Sequence, residues 1–120
     1  MENNKRHIIH IEDDTDFHEY VRNILSDIVT VSRARNLQEA RALINDARFD
    51  MALVDFTLPD GSGSEIIIEM AKLKPDMPII VFSAHEIADN IRHVEAVFLK
   101  GRFKEKELHH AVRRLCYGSP

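Results

Sequence analysis

The sequence is poor in the residues and patterns that mark several protein classes. Its one cysteine, Cys116, excludes an internal disulfide and any cysteine-based metal cluster. No apolar run approaches the ~20 residues that cross a membrane, and no signal-peptide pattern opens the chain, so we expect no membrane association and a cytoplasmic location. There is no basic excess either, because 16 Lys and Arg face 20 Asp and Glu for a net charge of −4. That balance argues against direct binding of nucleic acid.

Linkers, internal repeats and low-complexity stretches are also missing, so we expect the 120 residues to form a single domain, 1–120. Five short apolar runs have the length of strands, namely 8–11, 29–32, 51–54, 79–82 and 96–99. Four segments with apolar residues at helical spacing alternate with them, namely 15–27, 36–47, 64–73 and about 104–116. Asp14 or Thr15 can cap the first of these helices and Asn36 the second, while 57–63 has the composition of a turn.

This alternation predicts an α/β protein in which a parallel sheet is covered by helices on both faces. Right-handed crossovers and five strands favour a flavodoxin-like three-layer sandwich with the strand order 2-1-3-4-5. Only residues 84–95 connect the fourth and fifth strands, and a crossover with its helix needs about 10–12 residues. The fourth helix is therefore expected to be very short, irregular or absent.

Polar side chains collect where the strands of this sheet end. They are Glu12, Asp13 and Asp14 after the first strand, Asp55 after the third, Ser83 after the fourth and Lys100 after the fifth. Each has an ordinary explanation as a helix cap, a turn residue or a solvated strand end, but together they fall at the edge where such sheets bind ligands. Clustered carboxylates repel one another unless a cation neutralises them, and Mg²⁺ with a phosphoryl group suits this set. Such binding should weaken below about pH 5, where carboxylates protonate.

Four stretches that contain these residues resemble the signature stretches of receiver domains of two-component response regulators. They are residues 8–14, 53–63, 81–84 and 98–100. The resemblance implies that Asp55 is the phosphoacceptor, and that Mg²⁺ is held by Glu12, Asp13, Asp55 and the backbone carbonyl of Thr57, with Asp13 the more direct ligand of the acidic pair. It also implies that Ser83 and Lys100 contact the phosphoryl group, and that Thr57, Ala84 and His85 modulate dephosphorylation.

The function implied by the resemblance is that of a phosphoacceptor signalling domain. A histidine kinase or a phosphotransfer protein would phosphorylate Asp55 in a Mg²⁺-dependent reaction, and the phosphoryl group would switch a protein–protein interaction with an output partner that the sequence does not identify. Such a domain is not an enzyme beyond its own autophosphorylation and autodephosphorylation chemistry.

Three other functions compete with this interpretation. A haloacid-dehalogenase-like phosphatase would need an Asp-x-Asp nucleophile, for which Asp14-Thr15-Asp16 is the candidate. A flavin-binding flavodoxin-like protein is disfavoured because the acidic loop at 12–14 would repel a phosphate. A phosphorylation-independent interaction module of receiver fold is the third.

The chain departs from most of the family near its fifth strand. Gly101 follows Lys100 where a proline is usual, and Val97 stands where an aromatic residue is usual. Strand alternation should point the neighbouring Phe98 to the opposite face of the sheet. With no ring at 97 and a short connection at 84–95, we expect the signal to be read through 84–95 and the basic stretch 102–106. Two other interpretations of the positive charge of the last helix are a solvated face and a docking surface for an acidic partner.

Overall fold

A computed structural model of the chain describes residues 5–87 and 91–118, and its centre is a five-stranded parallel sheet. The strands of that sheet are β1 (Arg6–Ile11), β2 (Val29–Ala34), β3 (Met51–Asp55), β6 (Ile79–Ser83) and β7 (Ala96–Leu99), in the order β2-β1-β3-β6-β7. A small antiparallel hairpin adds β4 (Thr57–Leu58) and β5 (Gly61–Ser62). The sheet order is the predicted 2-1-3-4-5, with the hairpin inserted in the strand numbering.

Four helices are found within the described residues, two on each face of the sheet. They are α1 (Thr15–Leu25), α2 (Leu37–Asp46), α3 (Gly63–Leu73) and α4 (Glu105–Tyr117). One apolar cluster joins α2 and α3 to the sheet, and a second joins α1 and α4 to its other face. All five residues of β3 and of β6 are buried, as expected for central strands covered on both sides. The three-layer prediction is confirmed, and no helix among the described residues is long and apolar enough to cross a bilayer.

Side-chain caps fix where the helices begin. Asp14, rather than Thr15, caps α1 by accepting a hydrogen bond from the Phe17 N–H. Asn36 caps α2 through the Glu39 N–H, as predicted. Each cap satisfies a backbone donor that the helix itself leaves without a partner. Because α1 follows β1 after only three residues, its cap also helps to fix the loop that carries the acidic cluster.

The connection between β6 and β7 is the irregular part of the fold. No helix forms in the described residues 84–87 and 91–95, which confirms a short or irregular fourth helix, while 88–90 lie outside the described residues. Every residue of β7 is only half-buried. Val97 packs with the α2–α3 cluster and Phe98 with the α1–α4 cluster, so the predicted opposite facing is confirmed.

The segment predicted as a turn, 57–63, is more ordered than its composition suggested. Thr57 pairs with Ser62 and Leu58 with Gly61, so the turn residues Pro59 and Asp60 close a short hairpin. Asp60 also accepts hydrogen bonds from the backbone N–H groups at the start of α2, which ties the hairpin to that helix. The hairpin could not be predicted from the turn residues, because strands of two residues are too short to show an alternation of polar and apolar side chains.

Candidate functional site

The three predicted carboxylates meet at the carboxyl edge of the sheet. One oxygen each from Glu12, Asp13 and Asp55 lies within 4.8 Å of the others. Glu12 follows β1 and Asp55 ends β3, and these strands are direct neighbours, with Ile11 in register with Val54. Glu12 is fully buried and Asp55 nearly so, whereas Asp13 is exposed. This arrangement offers oxygen ligands at one open point, which suits a hard cation such as Mg²⁺.

Lys100 completes the cluster from the far side of β6. Its Nζ donates hydrogen bonds to Glu12 Oε2 at 2.9 Å and to Asp55 Oδ2 at 3.2 Å. The same ammonium lies 4.7 Å from the centre of the Phe17 ring, a cation–π distance. The Lys100 ammonium thus links the carboxylates of Glu12 and Asp55, whose charges would otherwise repel each other.

Burial and the neighbouring charged groups together set the pKa values of Glu12 and Lys100. Burial, reinforced by the charge of Asp55, raises the pKa of Glu12 to about 7 against the opposing hydrogen bond from Lys100. Burial lowers the pKa of Lys100, but its hydrogen bond to Glu12 and the charges of Glu12 and Asp55 outweigh that effect, so its pKa lies above the ordinary value. The Glu12 carboxyl therefore keeps its proton to a pH well above the pH 5 below which Mg²⁺ binding was predicted to weaken.

The remaining predicted residues surround Asp55. The Thr57 N–H donates to Asp55 Oδ1 at 3.2 Å. Ser83 is buried one residue beyond Phe82, which pairs with Asp55 across β3 and β6. The Ser83 hydroxyl donates to the backbone carbonyl of His85 and accepts from the His85 N–H at 3.2 Å, so it is turned toward its own loop.

Ala84 and His85 are exposed and border a surface cavity of about 380 Å³ beside the buried Ser83. Leu99, Gly101 and Arg102 form its other wall. Ala84 has only a methyl side chain and Gly101 has none, so neither fills this cavity.

Residues 8–113 match the family model described as "Response regulator receiver domain". The chain belongs to that family. A response regulator receiver protein of Anaeromyxobacter is 37% identical over 87 residues, which cover 72% of this chain and 36% of that protein. This chain thus spans little more than a third of that relative's length.

Solved receiver structures share the fold of this chain. A receiver domain protein from Methanospirillum hungatei superposes with a TM-score of 0.83 at 25% identity and covers 92% of both chains. The response regulator TrrA of Thermotoga maritima, solved with Mg²⁺ and a beryllium fluoride, gives a TM-score of 0.83 at 24% identity and covers 92% of this chain and 98% of its own. These matches confirm the flavodoxin-like fold.

Two histidines that were not predicted from the sequence lie buried behind the acidic cluster of this receiver domain. His10 in β1 and His18 in α1 share a hydrogen bond of 2.9 Å between their Nδ1 atoms. His10 Nε2 lies 3.8 Å from Glu12 Oε1, and these two buried atoms lack a hydrogen-bond partner among the described residues. Burial, with the nearby charges of His18, Lys100 and Arg33, lowers the pKa of His10 well below its ordinary value, so the ring is neutral. The signal available in the sequence was one polar residue inside the apolar run 8–11.

Arg33 is a second residue that the sequence analysis did not single out. It lies near the end of β2. Its guanidinium donates two hydrogen bonds to the loop that carries Glu12 and Asp13 and a third to Thr15 at the start of α1. A charged residue at the same edge of the sheet as the acidic cluster was the available signal.

The Asp-x-Asp alternative is not supported by this geometry. Asp14 is engaged as the cap of α1, and Thr15 and Asp16 form the first turn of that helix. Neither aspartate belongs to the group of three carboxylates. The family that the chain matches is not one of classical enzymes.

Proposed function

We propose that this receiver domain accepts a phosphoryl group on Asp55 in a Mg²⁺-dependent reaction. The observation that carries the proposal is the meeting of Glu12, Asp13 and Asp55 within 4.8 Å, with the Lys100 ammonium bonded to two of them. Asp55 is the carboxylate of this group that ends the central strand β3, and it is nearly completely buried. Three carboxylates and one ammonium form a site that needs a further cation and then a phosphoryl group.

The donor set fits Mg²⁺ in two respects. Its ligands are oxygens from two buried carboxylates and one exposed carboxylate, and Mg²⁺ favours few protein carboxylates together with water and phosphate. Glu12 Oε1 is also buried without a hydrogen-bond partner in the described part of the chain, so one acceptor of the cluster is still available. Glu12, Asp13, Asp55 and the Thr57 carbonyl would hold the ion. The Thermotoga protein that shares this fold was solved with Mg²⁺ and a beryllium fluoride.

The chemical step is a displacement at phosphorus. One carboxylate oxygen of Asp55 forms the new P–O bond, while the bond from phosphorus to the donor nitrogen or oxygen breaks and its electron pair leaves with the donor. Bound Mg²⁺ would neutralise charge on the phosphoryl oxygens. Lys100 shifts its ammonium from the free carboxylates toward the phosphoryl group, and Ser83 turns its hydroxyl from the His85 carbonyl to a phosphoryl oxygen.

The natural donor is a phosphohistidine on a histidine kinase or a phosphotransfer protein, and the phosphoryl group switches an interaction with a protein partner. The same site would provide autophosphorylation from small donors and autodephosphorylation, modulated by Thr57, Ala84 and His85. We place this activity in the cytoplasm. We also propose that 1–120 folds as one receiver domain that binds neither nucleic acid nor membrane directly.

The test is intact-protein mass spectrometry after incubation with Mg²⁺ and acetyl phosphate. Wild-type protein should gain one phosphoryl group that maps to Asp55, and Asp55→Asn should gain none. Asp16→Asn is the matched control, because it makes the same chemical change on the exposed first turn of α1. A phosphoryl group on Asp13 or Asp14 in the Asp55→Asn protein would refute the assignment. A wild-type protein that gains none would favour the phosphorylation-independent module.

A further inference from the structure

Arg33, in strand β2, donates hydrogen bonds to the backbone of the acidic loop 12–14 that follows β1. Its Nε donates to the Glu12 carbonyl at 2.9 Å, and one terminal nitrogen donates to the Asp13 carbonyl at 2.7 Å. The other terminal nitrogen donates to the Thr15 hydroxyl at 3.1 Å. The planar guanidinium therefore spans two successive carbonyls and the first residue of α1, which an ammonium on a flexible stem does not reproduce.

These bonds decide where the loop's side chains point. The Glu12 N–H donates to the Ala34 carbonyl at 2.8 Å, so β2 holds this residue through both its N–H and its carbonyl. With the carbonyls of Glu12 and Asp13 turned toward Arg33, their carboxylates are left on the side of Asp55. Asp13 depends most on this restraint, because its side chain is exposed and is not held by packing.

We propose that Arg33 is a positioning residue for the metal-binding loop, which it holds so that Glu12 and Asp13 present their carboxylates to a divalent cation. The inference rests on the proposed Mg²⁺ site and adds a residue to it. Arg33 touches backbone carbonyls rather than the carboxylates, so it acts through the residues that would hold the ion. Its function is separate from that of Lys100, whose ammonium contacts the carboxylates themselves.

The direction in which Mg²⁺ affinity changes when Arg33 is replaced distinguishes a positioning function from a purely electrostatic one. A guanidinium near a cation site repels the cation, so removing its charge should tighten Mg²⁺ binding if charge were its whole contribution. Loss of positioning should weaken binding instead, and groups that orient metal ligands typically contribute about 10–100-fold in affinity. Arg33→Met removes both the positive charge and the planar set of N–H donors. Arg33→Lys keeps the charge but removes that planar set of donors.

The experiment measures the Mg²⁺ dissociation constant by calorimetry for wild type, Arg33→Met, Arg33→Lys and the control Arg35→Met. Arg35 lies two residues along the chain, and its guanidinium is bonded to Glu39, so the control removes the same charge without touching the loop. Thermal unfolding and amide exchange of residues 13–15 are recorded on the metal-free proteins. These two measurements report folding and loop order independently of phosphorylation.

Both Arg33 variants should bind Mg²⁺ about tenfold more weakly, with faster amide exchange in the loop, while Arg35→Met stays within about twofold of wild type. Unchanged or tighter binding by a folded Arg33→Met protein would overturn the inference, and if that variant does not fold, unchanged binding by Arg33→Lys would do so. If wild type binds Mg²⁺ and both Arg33 variants bind it equally well, the positioning function is refuted while the proposed Mg²⁺ site stands. A wild-type protein that does not bind Mg²⁺ refutes the proposed site and this inference together.

Discussion

Gly63 packs so closely against the end of β3 that even one added methyl group should disturb Asp55. A Cβ built on Gly63 would lie 2.5 Å from the backbone carbonyl oxygen of Asp55 and 3.0 Å from both the Phe56 Cα and the Val54 Cγ1. The nearest atom is backbone in a fully buried strand, so it does not rotate away. Gly63→Ala should therefore displace the start of α3 from the end of β3 by several tenths of an ångström, and with it the Asp55 carboxylate.

Overpacking of this kind costs about 1–3 kcal/mol, and each kcal/mol lowers the melting temperature of a domain of this size by about 4 °C. Thermal unfolding should show a fall of about 4–12 °C for Gly63→Ala, and acetyl phosphate should label the folded variant more slowly than wild type. Gly101→Ala is the matched control, because a Cβ there meets nothing within 4 Å. It should leave stability unchanged or raise it by about 0.4–1 kcal/mol. Equal melting temperatures and labelling rates for Gly63→Ala and wild type would refute the steric argument.

Three further predictions concern the site and one of the helices that support it. Because Glu12 keeps its proton up to about pH 7, Mg²⁺ must displace that proton at lower pH, and its affinity should rise about tenfold from pH 6 to pH 8. Calorimetry at both values tests this, with Glu12→Gln expected to lose the pH dependence; a wild-type affinity equal at both values contradicts it. Lys100→Met should tighten Mg²⁺ binding in the same assay, since the ammonium competes for the Glu12 and Asp55 oxygens, and weaker binding would count against this. Asn36→Ala should cost about 1 kcal/mol of unfolding free energy in urea melts by removing the cap of α2, whereas Asn36→Asp should cost little.

The sequence predicted the fold and most of the site because both depend on patterns that the chain carries locally. Strand lengths and helical spacing determined the sheet order, and the carboxyl ends of parallel strands brought Glu12, Asp55 and Lys100 to one edge. The polar contacts made across elements were not predictable in this way. Arg33 reaches the acidic loop from another strand, and nothing in the spacing of charges tells which carbonyls a guanidinium will meet.

Energetic detail was likewise hidden from the sequence. The pH 5 threshold for Mg²⁺ followed from ordinary carboxylates, whereas complete burial of Glu12 moves its pKa to about 7. Burial of that degree depends on the whole set of elements packed around the residue. The Ser83 hydroxyl is also turned toward His85, a local choice of rotamer that no pattern of residue types specifies.

The bond between Lys100 and Glu12 joins residues 88 positions apart. During synthesis at about 5–20 residues per second, Glu12 is therefore made some 4–18 s before the lysine that pairs with it. In that interval Glu12 and Asp55 are two like charges without their ammonium, and β7 is not yet in place to support Ser83 and its loop. A nascent chain without β7 consequently has Asp55 but lacks Lys100 and the rest of the proposed site. Under the proposed function, Asp55 would become competent for phosphorylation only when β7 has joined the sheet, so a partially synthesised receiver would not compete with finished copies for the phosphoryl donor.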